Sequence, residues 1–124
     1  MLPIDKQTKK IYNKNMTISQ KNYYSDHVHY ACNRLGITPD EYREFRRIGN
    51  KLNSIYTKNC NGDYNDLTEY EVELLEKPYY LKADKLAKSL KLHIFYQSDP
   101  RGATIYLDKN KIPENDYTRA SCIY

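Results

Sequence analysis

The stretch Leu92–Leu107 reads LHIFYQSDPRGATIYL, and its reading decides the fold. Leu92, Ile94 and Tyr96 alternate with His93, Phe95 and Gln97, and beyond the break Ala103, Ile105 and Leu107 alternate with Thr104 and Tyr106. A period of two is that of a half-buried strand. The residues between, Ser98–Gly102, have the length of a hairpin connection. Asp99-Pro100-Arg101-Gly102 matches a type I turn: Asp opens it and accepts a backbone hydrogen bond, Pro presets φ, and Gly closes it without steric cost. A lone hairpin is only marginally stable, so SCIY at 121–124, after a polar loop at 108–116, is expected to add a third strand.

Upstream of the hairpin the period is helical. Thr38-Pro39-Asp40-Glu41 has the form of a capping box with proline at the first helical position. Tyr42, Phe45, Ile48, Leu52, Ile55 and Tyr56 then recur on one stripe, which predicts a helix to about Lys58. Before it, Ser25 and Asp26 can cap a short helix running to Leu35, with Gly36 as a left-handed stop. Asn61-Gly62 closes the long helix in the same way. Pro78 is expected to open a further helix that sets Tyr79, Ala83, Leu86, Ala87 and Leu90 on one face. The fold class read from this pattern is α+β, a small bundle of three to four helices packed on a C-terminal three-stranded antiparallel sheet. Residues 1–20 read as a polar arm and residues 21–124 as one domain, the number that 124 residues supports.

The apolar fraction of 40% includes 14 tyrosines and no tryptophan, so the core should be rimmed by phenol hydroxyls. No apolar run approaches the ~20 residues of a membrane span. The first twenty residues lack the continuous apolar stretch of a secretory signal, which places the expected location in the cytoplasm. Cys32, Cys60 and Cys122 are odd in number and contain no CxxC, a pattern of reduced, mostly buried thiols and no metal site. His27 and His29, two apart on a helix, point to nearly opposite sides and cannot chelate together. No cofactor is expected.

Charge is sorted along the chain. Residues 1–62 carry an excess of Lys and Arg, whereas Asp63, Asp66, Glu69, Glu71, Glu73 and Glu76 follow with no base among them. Arg43, Arg47 and Lys51 stand four apart on the long helix, with Arg46 and Asn50 alongside. That stripe can track a phosphate backbone, or it can be a solvated face offset by Glu41 and Glu44.

CNGDY after a basic amphipathic helix, then YQSDPRGATIYL and a terminal DYTRASCIY, resembles a family of small accessory proteins of tailed bacteriophages and prophages. The resemblance covers about residues 42–124 and centres on a Q-x-D-P-R-G-x-x-x-Y pattern filled by Gln97, Asp99, Pro100, Arg101, Gly102 and Tyr106. The family pattern usually has a glycine where this chain has Ala120. The resemblance implies a role in managing the host or its defences, in the cytoplasm of the host cell.

Turn chemistry accounts for Asp99, Pro100 and Gly102 but has no need of Gln97, Arg101 or Tyr106. An arginine on a rigid turn loses little entropy on binding and suits phosphate or carboxylate. The expected function is therefore non-catalytic counter-defence or host takeover, by binding a nucleotide-like ligand or a host defence protein. The expected site is Gln97, Asp99, Arg101 and Tyr106, joined by Asn61 and Asp63. An anti-CRISPR-like or nucleic-acid-associated inhibitor acting through Arg43, Arg47 and Lys51 is the alternative. A small hydrolase with His93, Asp99 or Asp63 as acid or base comes third. A second copy of the chain is a further candidate partner; a membrane is not.

Overall fold

The computed structural model describes residues 26–99 and 102–123. The expected polar arm, the Ser25 cap and Arg101 lie outside the described residues. Among those described there are three α-helices and a three-stranded antiparallel sheet: α1 (Asp26–Leu35), α2 (Pro39–Cys60), α3 (Glu69–Ser89), β1 (His93–Asp99), β2 (Gly102–Asp108) and β3 (Ser121–Ile123), with a 3-10 turn at Tyr117–Arg119. The fold is α+β. By its contacts the chain divides into two units, residues 1–43 and 44–124.

In the first unit α1 buries Val28, Ala31, Cys32 and Leu35, one helical stripe. Burial, with the Glu41 charge adding to it, pushes the Cys32 thiol up to about 12. Cys32 is thus the buried thiol expected, but Cys60 is exposed and Cys122 half-buried, so "mostly buried" does not hold. Cys60 is the last residue of α2, beyond the buried stripe.

Each helix ends in the same device. Gly36 and Gly62 have positive φ, and the following amides bond back five residues, Ile37 N to Cys32 O (3.1 Å) and Asp63 N to Lys58 O (2.9 Å). After α3 the left-handed position is held by Lys91 (φ 58°), and Leu92 N donates to Ala87 O at 2.8 Å. The box at the start of α2 forms as read, with Thr38 N donating to Glu41 Oε1 (2.8 Å) and Glu41 N to Thr38 Oγ1 (3.2 Å).

In the second unit the helix expected to open at Pro78 opens instead at Glu69. Thr68 and Glu71 make a second capping box, Thr68 N to Glu71 Oε1 at 3.1 Å and Glu71 N to Thr68 Oγ1 at 3.2 Å. Pro78 lies inside α3. It has no N–H to give the Leu74 carbonyl, but both residues are exposed and water can serve that carbonyl, which softens a penalty of about 3 kcal/mol for an interior proline. The acidic run is thus the last turns before α3 and its first half.

The sheet order is β1-β2-β3, with Ile94 opposite Leu107, Tyr96 opposite Ile105, and Ile105 opposite Ile123. Residues directly opposite share a face. One face therefore carries Ile94, Tyr96, Ala103, Ile105, Leu107, Ser121 and Ile123, of which the last five are buried. The core of this unit joins them to Phe45, Ile48 and Leu52 of α2 and to Val72, Ala83 and Ala87 of α3. The Tyr80 and Tyr96 rings meet edge to face at 4.8 Å, and the Tyr96 hydroxyl donates to Asp84 Oδ1 at 2.6 Å, tying α3 to β1. Tyr56, expected on the buried stripe of α2, is exposed near its end.

The hairpin connection is shorter than five residues. Pairing continues through Gln97–Thr104, Ser98–Ala103 and Asp99–Gly102, so only residues 100 and 101 separate the paired ends. Ala120 has extended backbone (φ −81°, ψ 160°), so the turn before β3 needs no glycine.

Candidate functional site

Arg46, Gly49, Asn50 and Asn53 recur at i, i+3, i+4 and i+7, so they form one face of α2. That face lines a groove of about 310 Å³ whose other wall is Ala103, Thr104, Ile105 and Tyr106 of β2 with Cys122 and Ile123 of β3. Gly49 lies close to the sheet, where a Cβ would make an ordinary contact with Ile105 Cδ1 at 3.7 Å. Among the described residues β3 pairs β2 at 105–107. Asn53 Oδ1 accepts from Ala103 N at 2.9 Å. Without that acceptor, a buried amide would forgo a bond at a cost of about 1–3 kcal/mol.

Arg46 supplies the charge. It is half-buried, and among the described residues no carboxylate pairs with it. A half-buried guanidinium beside an open groove is suited to an anion, which its planar fork can meet with two donors. The side-chain amides of Asn50 and Asn53 add donors and acceptors to the lining.

No protein-family model, curated protein or solved structure matches the chain. Its chemistry is therefore read from the site alone.

Of the residues singled out from sequence, Tyr106 lines this groove. It also belongs to an aromatic cluster on the outer face of the sheet, where Tyr117 stacks on Phe95 (5.2 Å between centroids, 13° between planes) and meets Tyr106 edge-on at 4.9 Å. Gln97 is on that same face, diagonal to Tyr106, and its Nε2 donates to Ser98 O at 3.2 Å. Asp99 sits at the paired end of β1 opposite Gly102. Asn61 and Asp63 serve the cap of α2, where Asn61 N donates to Thr57 O at 2.9 Å. Their described hydrogen bonds are local and do not join them to the hairpin.

Arg43, Arg47 and Lys51 are exposed on α2, and Arg47 Nη1 pairs with Glu44 Oε2 at 3.3 Å. His93 and Asp99 occupy opposite ends of β1, about 20 Å apart by strand rise, so they cannot share a proton. Among the described residues no group of three His, Cys, Asp or Glu is placed to hold a metal ion, and no helix is long and apolar enough to cross a membrane.

From sequence, Arg46 and Asn50 stand out only as neighbours of the basic stripe and Cys122 only as a free thiol, while Asn53 and Gly49 carry no signal of their own. The spacing of 46, 49, 50 and 53 was the available signal. Nothing in the linear chain said that this face would meet β2.

Proposed function

We propose that this protein binds, without turning over, a small phosphate-bearing ligand of nucleotide type in the groove between α2 and the β2–β3 margin. The supporting observation is the half-buried Arg46, without a carboxylate partner among the described residues, in a 310 Å³ groove beside Tyr106 and two amides. That volume lies at the lower end of the range for small-molecule sites. Arg46 anchors phosphate and Asn50 addresses polar edges. Asn53 is already engaged through its oxygen, which leaves its NH2 to donate. The hairpin residues Gln97, Asp99 and Arg101 remain part of the proposed recognition end, and the resemblance around them supplies the context of a phage accessory protein acting against host defence in the host cytoplasm.

Isothermal titration with a purine nucleoside diphosphate, and separately with inorganic phosphate, tests the reading. The nucleotide is expected to bind, and Arg46→Gln to weaken it at least tenfold while the melting temperature stays within a few degrees, about 1.4 kcal/mol per tenfold. Nucleotide recovered after heat denaturation is expected to be chemically intact. Undiminished binding by Arg46→Gln, or product formed in excess of protein, rejects it.

The exposure of Arg43, Arg47 and Lys51 favours nucleic acid as a second reading. Fluorescence anisotropy with a labelled oligonucleotide is then expected to show a log–log salt slope that flattens by about one unit per lost phosphate contact in Arg43→Gln/Lys51→Gln. No binding at low salt ends it.

A further inference from the structure

α3 turns its wrong face to water. Tyr70, Leu74 and Leu81 are 67%, 44% and 57% exposed, and Pro78 is exposed between them. At about 100° per residue these four fall on one side of the helix, opposite Val72, Ala83 and Ala87, which are buried. A helix already packed on one side has no structural need of a second apolar stripe.

The charges flanking that stripe are sorted by position. Glu69, Glu71, Glu73 and Glu76 occupy the first part of α3; Lys77, Lys82, Lys85 and Lys88 occupy the rest, with Asp84 the one acid among them. The helix dipole rewards such sorting only in the first and last turns. Glu73, Glu76, Lys77 and Lys82 lie beyond its reach. Burial and then the Glu73 charge raise the Glu76 carboxyl above its ordinary value, so acids are crowded at this end. A groove of about 460 Å³, lined by Glu73, Glu76, Lys77, Tyr80 and Leu81, lies at the middle of the helix beside the stripe.

We propose that this face of α3 is a self-association surface on which a second copy of the chain lays its own α3 antiparallel, about a two-fold axis near residues 77 and 78. That axis sets Leu74 of one copy on Leu81 of the other and Glu71 against Lys82 and Lys85. A parallel pairing would set Glu71 and Glu73 beside their own copies, so charge selects the antiparallel one. A closed two-fold pair is also the commonest way to bury a self-complementary patch. Three large side chains on a helix about 30 Å long cover less than the ~800 Å² per partner of a stable complex, so the dimer is weak, with a dissociation constant of about 10–100 μM.

Sedimentation velocity of the full chain at low salt, from about 10 μM to about 1 mM, is expected to show a dimer that grows with concentration. Leu81→Gln is expected to weaken it at least tenfold with an unchanged circular-dichroism melt. Glu71→Lys/Glu73→Lys and Lys82→Glu/Lys85→Glu should each lose self-association, and their equimolar mixture should regain a mixed dimer. A monomer at every concentration overturns the proposal, as does a dimer indifferent to Leu81→Gln or a mixture no more associated than its parts. None of these outcomes depends on whether the groove beside Arg46 binds a nucleotide.

Discussion

Phe45→Ala is expected to lower the unfolding free energy by about 3–5 kcal/mol, the usual cost of emptying a buried phenylalanine site. Phe45 has no exposed surface and sits in the core that α2 shares with Ile105 and Leu107 of the sheet. The transfer of the ring accounts for part of the loss, and the cavity left between a helix and a sheet, which cannot both collapse, for the rest. Since domains of this size are stable by about 5–15 kcal/mol in all, the variant should unfold at a much lower urea midpoint or fail to fold at 37 °C. Leu81→Ala, at an exposed position, is the internal control and should move the midpoint little. A loss below about 1 kcal/mol for Phe45→Ala would mean that α2 is not seated on the sheet as described.

Tyr96→Phe is expected to cost about 1–3 kcal/mol near neutral pH and to gain on the wild type in alkali. At neutral pH the loss is that of the 2.6 Å hydrogen bond to Asp84 Oδ1, a bond to a charged acceptor, and it falls toward the lower figure because Asp84 is exposed and water can replace the donor. The alkaline effect follows from the proton. Burial, then the hydrogen bond to Asp84 and the charges of Asp84 and Tyr80, hold the Tyr96 hydroxyl protonated far above its ordinary range. The folded chain thus keeps a proton that the unfolded chain gives up near pH 10. Stability from this group is complete below that pH and declines as the pH rises above it, by at most about 1.4 kcal/mol per unit and by less here, since Tyr96 is only part-buried and solvent screens it. Urea titrations of both proteins between about pH 8 and pH 11 should show the gap narrowing above pH 10. Parallel curves would refute the assignment.

The sheet was legible because alternation in Leu92–Leu107 is a local property, and the fold class followed from it. So were the starts and stops of α2, whose Thr38–Glu41 box and Gly62 cap draw on neighbours within six residues. The start of α3 was equally local and was missed. Thr68-x-x-Glu71 lies inside a run of acids that draws the eye as charge, and a proline marks a first turn more often than an interior, so Pro78 outweighed it. The groove was illegible for a different reason. Asn53 and Ala103 are fifty positions apart, and no pattern in either segment announces the other. Arg46 reads as one more cation on a basic helix until the sheet beside it shows which side it faces. The partners of the exposed stripe on α3 were hidden likewise, since apolar residues spaced along a helix look the same whether they face a core or water.

The amide of Asn53 has a consequence for how the protein behaves in a crowd. A sheet margin that offers bare backbone donors and acceptors is the template on which foreign strands add and aggregates begin. At the start of β2 the side chain of Asn53 already occupies the Ala103 donor. An incoming strand would have to displace that bond. A helix side chain thus guards this sheet margin against runaway polymerisation, while leaving the adjoining groove open to something small.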